Sequence, residues 1–169
     1  MARSLMENTM KYPLSLLFLC LLPGIATAVT PSTTHDMNIE LATSLAKETL
    51  EQCRKLGKNG VVAVVDRGGN PVVILRGDNV GPHNTQAAQR KAYTALSTKT
   101  ATLQLAKNAR ATPDTTNLNT VGDLLLLGGG VPVSYQQQVI GALGVAGMGG
   151  PEFDEKCALQ AIATVLPAR

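Results

Sequence analysis

Few side chains in this sequence could do chemistry. It has two histidines, three cysteines, no tryptophan and only 3% aromatic residues. His35 precedes the first apolar periodic segment, and His83 sits in "GPHNTQ", between a loop and a helix. They are far apart in the chain, and no Cys/His spacing typical of zinc is present. Glu48/Glu51 and Glu152/Glu155 have i,i+3 spacing and so share a helix face, where they could grip a hard cation weakly or stand as solvated carboxylates. No G-x-S-x-G nucleophile elbow occurs, and no nucleophile–base pair is recognisable. The stretch "VIGALGVAGMGG" has the small residues of a phosphate loop, but neither G-x-G-x-x-G nor G-x-x-x-x-G-K-[ST] can be drawn through it. Its glycines are structural: Gly141, Gly144 and Gly147 thin a strand so that backbone, ligand or another subunit can approach, and Gly149 and Gly150 turn the chain into the next helix.

The elements that must position these residues follow from periodicity. Of the 169 residues, 44% are hydrophobic and the formal net charge is +3, which suits one α/β domain. The cations are scattered and aromatics scarce, so nucleic acid is not an expected partner. Lys11 followed by "LSLLFLCLLPGIATA" has the form of a signal peptide over residues 1–28, with Ala26 and Ala28 flanking Thr27 as the processing site. Leu14 to Leu22 is too short to span a bilayer, so no membrane span is expected after cleavage. Residues 29–35 read as a flexible tail and 36–169 as the domain.

Ile39, Ala42, Leu45, Ala46, Leu50, Cys53 and Leu56 keep helical spacing, with Asp36 or a nearby Thr as cap and Gly57 as stop. "GVVAVVDRGGNPVVILRGD" is a hairpin turning at Arg67–Asn70. "NTQAAQRKAYTALSTKTATLQLAKNAR" is helical with a break near Lys99, and Ala88, Ala92 and Ala95 form a small-residue face. "ATPDTTNLNTVGD" reads as loop. Two more strands and a helix from Pro151 to Leu166 complete the order α-β-β-α-α-β-β-α, an α+β antiparallel sheet flanked by helices.

Several separate motifs in this order carry a resemblance. Asp66-x-x-Gly69-Asn70, Arg76-Gly77-Asp78, Lys91-Ala92-Tyr93-Thr94-Ala95, Gly129 to Pro132 and Ile140-Gly141-x-x-Gly144-Val145-x-Gly147 resemble the GlcG/HbpS family over essentially the whole chain after the signal. That family includes a domain attached to some cobalamin adenosyltransferases, and its secreted haem-binding type is the most similar in wording. The resemblance implies a profilin-like fold, homo-oligomers, and a haem or related tetrapyrrole as partner, with weak iron binding. Its site residues map to Thr102 or His35 as iron ligands. His83 stands as a further candidate, Arg67, Arg76 and Lys91 as partners for propionates, and Met148 as part of an apolar wall. In such a fold Cys53 and Cys157 lie on inward faces of the terminal helices and are expected to bridge, whereas Cys20 leaves with the signal. The function implied is a secreted or periplasmic haem carrier, scavenger or sensor accessory. The alternative is a small-molecule catabolic or haem-degrading enzyme of the GlcG type. N-terminal sequencing of the exported protein should begin at Val29; a start at Met1 or Met10 would exclude cleavage.

Overall fold

Side-chain alternation in one short strand divides this domain into layers. The structure, a computed structural model, describes residues 29–166; the expected signal segment lies outside them. Strand β1 (Val61–Val65) is buried along its whole length. Successive side chains of a strand point to opposite faces. Val62 and Val64 accordingly join a core with α1 (Ile39–Lys55) and α5 (Pro151–Val165), through Leu45, Ala46, Cys157 and Ala158. Val61, Ala63 and Val65 face the other way, onto Ala88, Ala92 and Ala95 of α2 (His83–Thr98). Each fully buried valine or leucine contributes about 1.5–3 kcal/mol, so both helical layers are held by apolar contact.

The remaining strands are β2 (Pro71–Arg76), β3 (Gly130–Tyr135) and β4 (Gln138–Ala146). All pairings are antiparallel, in the order β2-β1-β4-β3. The antiparallel sheet flanked by helices implied by the sequence is thus present. The glycine stretch is strand β4 and the turn after it. Gly141 faces the α1 side, where a side chain would meet Met37. Gly144 faces α2, and a Cβ there would collide with the Ala88 carbonyl oxygen and stand 2.6 Å from the Ala92 nitrogen. The alanine face of α2 therefore rests directly on glycine backbone, and the stretch is a packing surface.

Two local readings are corrected. Asn38, not Asp36, caps α1: its Oδ1 accepts the Leu41 N–H at 2.9 Å. The Asp36 carboxylate instead accepts the Met37 and Arg67 N–H groups. The segment expected to be loop contains α4 (Pro113–Thr116) and a 3-10 turn (Asn117–Thr120). It follows α3 (Thr102–Ala111) and is fastened to it by Thr115 and Thr116, whose hydroxyls donate to the Asn108 and Ala109 carbonyls. The break between α2 and α3 does fall at Lys99, which takes a left-handed conformation with φ 52°.

Cys53 and Cys157 are joined, with their Cα atoms 5.4 Å apart and a sequence separation of 104. The bond links the last turn of α1 to α5. Closing a loop of this length stabilises by about 4.7 kcal/mol in the chain-entropy model, and natural bridges typically give about 2–5. Replacing both cysteines by alanine should lower unfolding free energy by about 2–5 kcal/mol in denaturant titration. Thiol counting on the native protein should find neither sulfur free; two titratable thiols would rule the bridge out.

Candidate functional site

The turn between β1 and β2 is built by Asp66. Its Oδ1 accepts the N–H groups of Gly68 at 2.8 Å and Asn70 at 2.9 Å, and the Asn70 amide closes on the same carboxylate. Partial burial works against its charge, but the bonds from Asn70, Gly68 and Gly69 prevail and hold this carboxyl below its usual range. Gly69, at φ 82°, lies under the Tyr93 ring, where a Cβ would be 3.0 Å from Cδ2 and Cε2. The turn thereby delivers Arg67 and Gly68 beside the C-terminal half of α2.

A cleft of about 600 Å³ opens there. Tyr93, Leu96, Ser97 and Lys99 of the α2 end form one wall. Arg67 and Gly68 of the first hairpin, Gln137–Val139 of the second, and Thr34 form the others. His35 is fixed at its edge. The His35 N–H donates to Gln138 Oε1 at 3.4 Å, its Nε2 lies 3.0 Å from Gln136 Oε1, and its ring meets Tyr135 edge-on at 5.0 Å. Arg67 reaches back to the His35 and Val139 carbonyls through Nη1, at 3.4 and 3.3 Å. The cleft thus joins an aromatic ring, aliphatic side chains, two cations and an adjacent imidazole. That set suits a flat, largely apolar ligand carrying carboxylates. Among the described residues, no group of three or more His, Cys, Asp or Glu could hold a bare metal ion. Glu48 accepts the Gln52 amide, Glu51 pairs with Arg54, and Glu155 accepts the Leu103 N–H at the start of α3.

Of the residues singled out in the sequence, only Arg67 and His35 come together here. Lys91 is 1% exposed and faces no ligand. Its ammonium donates to Asp154 Oδ2 at 2.7 Å and to the Val145 carbonyl at 2.9 Å, so it is not a propionate partner. Thr102 is sealed at the start of α3. Its hydroxyl donates to the Leu127 carbonyl and accepts the Gly130 N–H, both at 2.8 Å, and the side chain is fully buried, out of reach of a bound iron. Met148 is core, packed against Gly60 rather than lining a pocket. Arg76, at the far end of the hairpin, donates to the Val80 carbonyl. His83 is the exposed first residue of α2, about 20 Å along the helix from Ser97. Tyr93, Leu96, Lys99 and the second-hairpin glutamines were not singled out. Tyr93 lies within the Lys91–Ala95 motif, but its type alone does not separate a ligand platform from core.

The model of the family described as "haem degrading protein HbpS-like" matches residues 37–163. The chain belongs to this family. HbpS-like relatives among solved structures share its fold. A double mutant of Streptomyces reticuli HbpS is 35% identical with a TM-score of 0.74, over 86% of this chain and 100% of that one. Klebsiella pneumoniae protein ORFY is 26% identical with a TM-score of 0.78, over 85% and 100%. PduOC in its haem complex is 27% identical with a TM-score of 0.70, over 78% and 96%. An uncharacterised 15.0 kDa protein from the dhaT-dhaS intergenic region of Citrobacter freundii is 32% identical over 89 residues, which are 52% of this chain and 63% of that protein.

The Lys91–Asp154 pair yields a pH-dependent expectation. Burial pushes the Asp154 carboxyl up, against the pull of the Lys91 ammonium and the Met148 N–H. Lys91→Met removes the main opposing charge and strands a buried carboxylate, at about 3–5 kcal/mol near neutrality. In that variant the folded-state pKa lies further above the unfolded value. Its stabilising contribution is therefore present below the unfolded pKa and lost as pH rises through the folded one. The deficit against wild type in urea unfolding should shrink as pH falls from neutrality and the raised Asp154 carboxyl takes up a proton. A deficit that does not change with pH would contradict this assignment.

Proposed function

We propose that this protein binds haem or a related tetrapyrrole in the Tyr93 cleft, with His35 supplying the axial nitrogen. The observation that carries the reading is the placement of an imidazole at the edge of a cleft that also holds Arg67, Lys99 and an aromatic ring. Imidazole is a common haem ligand, cations suit propionates, and an apolar wall desolvates the macrocycle. The haem complex formed by the PduOC relative supports the ligand class. Tyr93, Leu96 and Val139 are the apolar groups of the cleft, so one protomer offers one apolar face to a macrocycle, and a homo-oligomer would cover the other face.

The reading extends to an exported carrier, scavenger or sensor accessory. The bridge between Cys53 and Cys157 supports export, because disulfides persist in oxidising compartments. Among the described residues, no helix is long and apolar enough to cross a membrane. A second reading, haem degradation, is favoured by the family's description.

Haemin titration tests the main reading. Wild type should give a saturable Soret change, His35→Ala should move the band, and His83→Ala should behave as wild type. No saturable change in wild type would overturn haem binding. Loss of the bound Soret band under reductant and air, faster than for free haemin, would bring the degradative reading forward.

A further inference from the structure

Resting on the Tyr93 cleft as a tetrapyrrole site, we propose that it recognises the carboxylate rim and flat face of the macrocycle rather than its metal. It therefore takes dicarboxylic porphyrins with or without iron.

The charge of the cleft is one-sided. Arg67 and Lys99 line it, and no Asp or Glu does. The acidic groups that lie close by in the chain are already engaged. Asp66 is held by its own turn, and Asp36 accepts the Met37 and Arg67 N–H groups. Among the described residues, neither Arg67 nor Lys99 enters an ion pair. The hydrogen bonds of the Arg67 side chain are two long contacts through Nη1, so the rest of its guanidinium fork is open to a carboxylate.

Lys99 is held at this place against its backbone preference. Its φ of 52° is a left-handed value that favours glycine, at the position where α2 ends. A lysine kept at a strained position beside a cleft points to a role for its charge. Near both cations stands Tyr93, 39% exposed, with its ring over the turn that carries Arg67. An aromatic face beside paired cations fits a flat ring with acidic substituents.

The provision for iron is weaker. His35 Nε2 is already engaged with the Gln136 carboxamide at 3.0 Å. Ligating a metal through that nitrogen exchanges one bond for another, whereas the cations gain partners they lack. The net preference for the metallated ring is therefore small.

Equilibrium titrations with haemin, metal-free protoporphyrin and its dimethyl ester separate these contributions. Wild type should bind haemin and metal-free protoporphyrin within about tenfold of each other, and the ester at least about tenfold more weakly. Lys99→Gly suits the left-handed backbone and so keeps the fold. It should weaken both acids by about tenfold and leave the ester unchanged. Haemin binding with metal-free protoporphyrin more than about tenfold weaker would overturn this proposal while leaving the haem reading intact. An ester that binds as well as the acids, or a Lys99→Gly variant that binds them unchanged, would also overturn it. If no porphyrin, haemin included, binds saturably, the haem reading itself fails.

Discussion

The largest side chain fully removed from water in this domain is a lysine, and its charge has to be answered. Lys91 leaves α2 on one side of the sheet and meets Asp154 of α5 on the other. It passes where β3 begins, and the glycines there explain how. A Cβ on Gly129 would stand 2.7 Å from the Asp154 Cβ and 3.1 Å from the Lys91 ammonium, and one on Gly130 would strike the Lys91 carbonyl. The second carboxylate oxygen of Asp154 accepts the Met148 N–H, and the ammonium also binds the Val145 carbonyl. One ion pair thereby ties both helical layers to the open end of the second hairpin. Breaking a buried pair from one side is strongly destabilising, so these elements must move together or not at all.

The cleft depends on that fixation. Tyr93 lies two residues beyond Lys91 on α2, and Gly144 and Ala88 to Ala95 set how closely the helix lies on the sheet. The hairpin turns converge on its other end: Asp66 shapes the first, and Gln136 and Gln137 form the second with φ values of 46° and 63°. Such angles are uncommon for residues other than glycine, asparagine or aspartate. Their side chains and those of their neighbours hold the chain around His35, so a rigid core supports a polar rim.

Much of the fold was legible because it rests on local rules. The β-branched run at Val61–Val65, the alanine face of α2 and the Gly57 stop each state their structure directly, and the expected bridge has its partners at bonding distance. The site was not legible in the same way. A lysine in a helix pattern gives no sign of whether it meets solvent, a ligand or a buried carboxylate, and only the fold brings Lys91 to Asp154. Thr102 stood in a promising register, but the Leu127 carbonyl and Gly130 N–H use its hydroxyl. Lys99 announced itself as a helix break, when the position of its side chain mattered more. Its cleft draws on α2, both hairpin turns and Thr34, which are distant in sequence.

The bond between Cys53 and Cys157 has a topological consequence. It encloses the whole sheet, α2, α3 and the 112–127 segment in one covalent ring, leaving outside it α1 before its last turn and the remainder of α5. A protease that cuts once within the ring, for example at the exposed Val121–Asp123 stretch, opens a loop without releasing a fragment. The nicked molecule keeps every strand tethered to its neighbours. It is then two chains held by one disulfide, with the new ends at the surface, and a single cut there would not by itself dismantle the domain.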